Sequence, residues 1–151
     1  MSNARFFVAA EGFEELMKEF DNMGKAGERA VNKALKEGGQ VFKALTIAGA
    51  PRSNRNVATH LQDAIDVSRV KTDDAGEKYV SVGTYLGGGN YRGKVYWGHI
   101  VEGGHRIVTP SGKVVGWVAA KPFMQPAYEQ GQDKAAKVMG DIIFNAMGLK
   151  K

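Results

Sequence analysis

Between Tyr96 and Tyr128 the spacing of apolar residues changes period, and that change constrains the fold more than any other feature of the chain. Two short runs rich in β-branched and aromatic residues, Tyr96–Val101 and Arg106–Thr109, flank Glu102-Gly103-Gly104. A third, Lys113–Ala119, follows Pro110-Ser111-Gly112. β-Branched and aromatic side chains pack well on a pleated surface, and Pro and Gly supply turn geometry that other residues resist. The pattern predicts a strand, a Gly-Gly corner and a short hairpin, ending at Lys121-Pro122-Phe123. Beyond it Tyr128, Ala135, Val138, Met139, Ile142, Ile143 and Ala146 fall at helical spacing, so a C-terminal helix carries one apolar face. Pro122 and Pro126 suit the start of that helix, where a missing amide hydrogen would lack an intrahelical partner anyway. Phe123 then stands where sheet and helix meet.

The preceding chain has the same mixed character. Arg5–Ala10 suits a first strand, and Phe13, Leu16, Met17 and Phe20 mark an amphipathic helix up to Asn22. Met23-Gly24 is a joint. From Ala26 to about Ala48 the apolar positions Ala30, Val31, Ala34, Leu35, Val41, Phe42, Leu45 and Ala48 predict a helix of about 34 Å at ~1.5 Å per residue. Gly38-Gly39 lies in its middle, where each Gly costs about 1 kcal/mol relative to Ala, so packing must outweigh the penalty. A glycine pair there permits a close neighbour or a kink. Gly49-Ala50-Pro51 ends the helix, because Pro disfavours helical geometry in the residue before it. Arg52–Val57 reads as a polar loop and Thr59–Ile65 as one helical turn. Ile65–Lys71 and Lys78–Thr84 read as strands about the turn Thr72–Glu77, and Tyr85–Lys94, with four glycines, as a mobile loop. Runs of strands between helices, without βαβ alternation, indicate an α+β fold: a small antiparallel sheet with both long helices packed on one face. A length of 151 residues is most simply one domain, residues 1–151.

Cysteine is absent, which excludes disulfides, thiolate metal sites and cysteine catalysis. No run of eighteen apolar residues and no signal-peptide pattern occurs, so neither a membrane span nor export is expected. The net charge of +5 is uneven: residues 1–50 hold seven basic and seven acidic side chains, whereas residues 91–128 hold Arg92, Lys94, Arg106, Lys113 and Lys121 against Glu102 alone. Such dispersed charge suits an acidic protein neighbour better than the stripe a nucleic-acid reader presents. Arg52, Arg55, Arg92, Lys94 and Arg106 are the candidate partner contacts.

Three constellations invite a chemical role. His99, Glu102 and His105 supply zinc-type ligands, but residues three apart in a strand point to opposite faces. Gly87-Gly88-Gly89 lacks the helix N-terminus and lysine of a phosphate loop. Ser53, Ser68, Ser81 and Ser111 lack the strand-to-helix setting of a nucleophile. Neither a metal nor another cofactor is expected, and no catalytic residue. Glu102 is instead expected to brace the Gly103-Gly104 corner by accepting backbone amides, or to pair with Arg106 or Arg92. Trp97 and Trp117 are expected in the core.

An aromatic strand leading into Val101-Glu102-Gly103-Gly104, then Ala-Lys-Pro-Phe-Met-Gln-Pro-Ala opening a last helix, resembles the tail-component family of lambdoid siphophages. That family is typified by the gene-ten product of an HK-type phage. Glu102, Gly103, Pro122, Phe123, Pro126 and Ala127 match its pattern, while Gly104 replaces the usual Thr. Thr59-His60-Leu61 takes the place of a Thr-Gly-x-Leu stretch without the glycine. The likeness extends from about Phe7 to Ile143. It implies a structural virion protein at the head–tail junction or tail end, assembling as a ring and present in the host cytoplasm during assembly. The implied partners are copies of itself and other phage structural proteins, such as a head–tail adaptor or tail tube. Two other functions compete with it: a nucleic-acid-binding module with a basic hairpin surface, and a small metal-dependent enzyme.

Overall fold

A computed structural model describes residue 18 and residues 21–52, 54, 60–84 and 97–148. The expected first strand, nearly all of the first helix, most of the Arg52–Val57 loop and the glycine-rich Tyr85–Lys94 loop lie outside the described residues. Two antiparallel helices form the frame. Helix α1, Lys25–Gly49, starts after Gly24 and stops at Ala50, whose amide bonds back to Thr46 and Ile47. Helix α3, Met124–Ala146, returns alongside it. Between them come a single 3-10 turn (Gln62–Ala64), the strands β1 (Asp66–Val67), β2 (Lys71–Thr72), β3 (Lys78–Tyr79) and β4 (Val82–Gly83), a short helix α2 (Gly98–Gly103), and the strands β5 (His105–Val108) and β6 (Val114–Val118).

The α+β class and both long helices are as the sequence predicts. Helix α1 continues unbroken through Gly38-Gly39, and the glycines are places of close approach. A Cβ at Gly38 would lie 2.7 Å from Met139 Sδ of α3, and one at Gly39 would lie 2.7 Å from Val67 Cγ1 of β1. The notch is reciprocated on α3, where a Cβ at Gly131 would lie 2.8 Å from the Phe42 ring. Side chain on one helix thus fills the gap left by glycine on the other, and Phe42 stacks on Tyr128 with ring centroids 6.0 Å apart. The buried stripe of α3 is Ala127, Gly131 and Ala135. It overlaps the predicted apolar face at Ala135, while Ala146 is exposed. Small residues set the helix spacing, and the larger ones flank the contact, half-buried.

Among the described residues the strands form three two-stranded antiparallel ladders, where the sequence suggested one sheet. β1 pairs with β4 and β2 with β3, making one bent hairpin along α1. At the bend the buried Ser68 replaces a ladder bond with its side chain: its Oγ accepts from Ser81 N at 2.9 Å while its own amide donates to Ser81 O at 2.8 Å. Two ion pairs fasten this hairpin to α1, Lys43 to Asp66 near its base and Lys78 to Glu28 near its tip. Phe42, Ala50, Leu61, Ile65, Val82, Phe123 and Ala135 form the core beneath.

One element differs in kind from the expectation. Tyr96–Val101 is predicted to be a strand leading into the Gly-Gly corner, yet Gly98–Gly103 forms α2, with the Ile100 and Val101 amides both bonded to Trp97 O. β-Branched residues disfavour a helix by only a few tenths of a kcal/mol, a preference that tertiary contacts override. Here buried Gly98 lets the helix start close against Thr84 and Leu61, and Val101 O accepts the Lys121 amide at 2.8 Å. The Gly-Gly corner ends the helix: Gly104 has φ 69°, and a Cβ there would lie 2.6 Å from Val118 O. Only glycine meets both demands.

Candidate assembly surface

Both long helices end at one corner of the molecule, and each end is capped from a distant point in the sequence. The first four amides of a helix have no intrahelical acceptor. In α3 the Phe123, Met124 and Gln125 amides all donate to the Glu102 carboxylate, at 2.7, 2.9 and 3.1 Å. The next residue is Pro126, which has no amide hydrogen to satisfy. Glu102 and Pro126 together complete the set. A carboxylate at this position also meets the positive end of the helix dipole. Glu102 is expected from the sequence to accept the amides of the Gly-Gly corner, whereas the amides it accepts here are those of α3. Phe123, 1% exposed, plugs the core directly beneath.

The C-terminal end of α1 is served by Gln62, which the sequence did not single out. Its Nε2 donates to Ile47 O at 3.1 Å and to Ala50 O at 3.0 Å. Arg52, a predicted partner contact, donates in turn to Gln62 Oε1 at 3.1 Å and lies 4.0 Å from Asp63. A glutamine in a polar loop carries no sequence signal for such a role, because the carbonyls it serves lie twelve and fifteen residues away.

From this braced corner β5 and β6 extend as an arm. Its tip is built on Thr109, whose Oγ1 accepts from Lys113 N at 3.1 Å, with Gly112 at φ 84° closing the expected Pro110-Ser111-Gly112 turn. His105, Arg106, Ile107 and Val108 pair with Val118, Trp117, Gly116 and Val114, with a bulge between Ile107 and Val108. Every residue of β5 is exposed, and so is all of β6 but Gly116. Arg106 lies over the Trp117 ring at 5.5 Å from its centroid, a cation–π arrangement on the open surface. Trp117 is 70% exposed and Trp97 39%, so neither is the core residue expected from its size. Trp97 precedes α2 and so does not share a strand face with Trp117.

The helical form of residues 98–103 removes the geometric objection to His99 and Glu102 sharing a face, but the Glu102 carboxylate is engaged by α3. Among the described residues no group of three His, Asp or Glu is placed to hold a metal ion. Of the remaining predicted contacts, Arg106 lies on the arm, and Arg55, Arg92 and Lys94 fall outside the described residues. The hydrogen bond from Lys78 holds Glu28 below the usual value of 4.5, and the one from Lys43 holds Asp66 below 3.8. No described helix is long and apolar enough to cross a membrane.

A braced pair of helices holding out an apolar, basic arm is a structural build, made to present surface. Residues 14–104, more than half of the chain, match the family described as "Bacteriophage HK97-gp10, putative tail-component", and the chain belongs to that family. The matched span ends at the Glu102-Gly103-Gly104 corner, so the arm and α3 lie beyond it. No curated protein and no solved structure matches the chain. The protein is thus a phage tail-component-like structural protein, and such a component works among other phage structural proteins.

Proposed function

We propose that this protein acts at the junction of phage head and tail, or completes the tail end, as a ring of identical subunits within the virion. Family membership supports the structural role. The observation that carries the assembly role is the arm: Ile107, Val108, Val114, Val115, Trp117 and Val118 all stand exposed on a fixed base. An isolated two-stranded ladder is marginal in water, and contiguous exposed apolar surface marks an interaction site. The mechanism is geometric and needs no catalysis. The corner sets the direction of the arm, and basic side chains, Arg106 on the arm and, as further contacts, Arg52, Arg55, Arg92 and Lys94, attract acidic surfaces.

Deletion of the gene from the phage or induced prophage tests this role. Electron micrographs should then show filled heads and separate tails, and peptides of the protein should be found in intact wild-type virions. Joined particles of normal infectivity without the protein would refute it. Charge reversal at Arg92, Lys94 and Arg106 should lower phage yield while the purified protein stays folded.

A further inference from the structure

The acid-free arm and an acidic turn lie at opposite ends of α1. From Gly103 to Tyr128 the chain has no acidic residue, while Arg106, Lys113 and Lys121 are basic and exposed. The arm is rooted where the C-terminal end of α1 meets α3, with Gly49 against Phe123. The β1–β4 hairpin runs the other way, and Lys78 at its far end bonds Glu28 and Asn32 near the start of α1. Its tip is the turn Asp73-Asp74-Ala75-Gly76-Glu77, in which Asp73 Oδ1 accepts the Ala75 and Glu77 amides and leaves Asp74 and Glu77 pointing to solvent. From Glu28 to Gly49 is twenty-one residues of helix, about 30 Å at 1.5 Å per residue.

We propose that the arm of one copy docks on the acidic β2–β3 turn of the next, making a head-to-tail contact between identical chains. This rests on the assembly role above and names the surface that would serve it. The occupant follows from charge and placement. Arm-to-arm pairing would bring Arg106 and Lys113 of two copies together, which like charge disfavours. Arm-to-turn pairing joins opposite charges and buries Trp117. Among the described residues β5 and β6 have no strand partner but each other, so the arm also offers backbone edges for the neighbour's ladder. Because the two surfaces are different and sit at opposite ends of one molecule, the contact is heterologous and propagates, closing into a ring when the rotation permits.

Sedimentation of the full-length protein over a range of concentrations tests this. The wild type should self-associate. Trp117→Glu, Arg106→Glu/Lys113→Glu and Asp74→Lys/Glu77→Lys should each weaken association at least tenfold, with unchanged helical circular dichroism. An equimolar mixture of the two charge-reversed proteins should regain association, since each arm then faces a turn of opposite sign. Trp117→Glu mixed with the Arg106→Glu/Lys113→Glu protein should gain nothing, since neither carries an intact arm. A wild type monomeric at all concentrations, charge-reversed proteins that associate as the wild type does, or a mixture that stays monomeric would each overturn the contact. So would an arm saturated by duplex DNA at physiological salt. Failure here with the protein still present in virions overturns the arm contact alone, whereas absence from virions overturns the assembly role.

Discussion

Replacing Glu102 removes the acceptor for three backbone amides at once, and the expected loss can be worked from their geometry. The bonds to Phe123, Met124 and Gln125 span 2.7 to 3.1 Å and are charge-assisted. Loss of a helix N-cap costs about 0.5–2 kcal/mol, and one hydrogen bond to a charged group contributes about 1.5–3. The three share one carboxylate, and water can reach the exposed Gln125, so they do not add. Glu102→Ala should destabilise by about 2–3 kcal/mol. For a chain of this length that is a fall in Tm of about 5–10 °C. Glu102→Gln keeps one carbonyl oxygen but loses the charge that faces the helix dipole, a term of about 1 kcal/mol. Denaturant titration by circular dichroism measures both, and hydrogen exchange at residues 123–125 reports the amides directly. An alanine variant within about 0.5 kcal/mol of wild type, with exchange at those amides unchanged, would refute remote capping as the bond that fixes the corner.

Other perturbations separate close packing from flexible contact. Gly131→Ala should cost about 1–3 kcal/mol, because its Cβ meets the rigid, buried Phe42 ring, whereas Gly38→Ala should be near neutral because the Met139 side chain can move and helix propensity improves. Equilibrium unfolding of the pair decides this. Phe123→Ala should cost about 3–5 kcal/mol by the same measurement, since the side chain is fully enclosed. The lowered Glu28 and Asp66 ionisations give stability that is complete above their ordinary values of 4.5 and 3.8 and is lost as pH falls through the lowered ones. Lys78→Ala and Lys43→Ala should therefore flatten the acid limb of a stability–pH curve below about pH 4.5, by a small amount because both carboxylates are exposed.

Local chemistry was enough to determine much of this protein. Apolar spacing marked both long helices, Gly24 and Pro51 marked the limits of the first, and Pro110-Ser111-Gly112 placed the arm's turn, since period and turn geometry depend on residues a few positions apart. Glu102, Phe123 and Pro126 were also singled out there. Their relation was not: a carboxylate on one helix caps another twenty-one residues later only once the chain has folded back. The same long-range contacts made residues 98–103 helical against their β preference, turned Gly38-Gly39 from a weak spot into a notch for Met139 and Val67, and gave Gln62 its work. Tertiary structure alone decided that the arm stands clear of the core with Trp117 exposed. An apolar strand reads the same whether its own body covers it or a neighbour must.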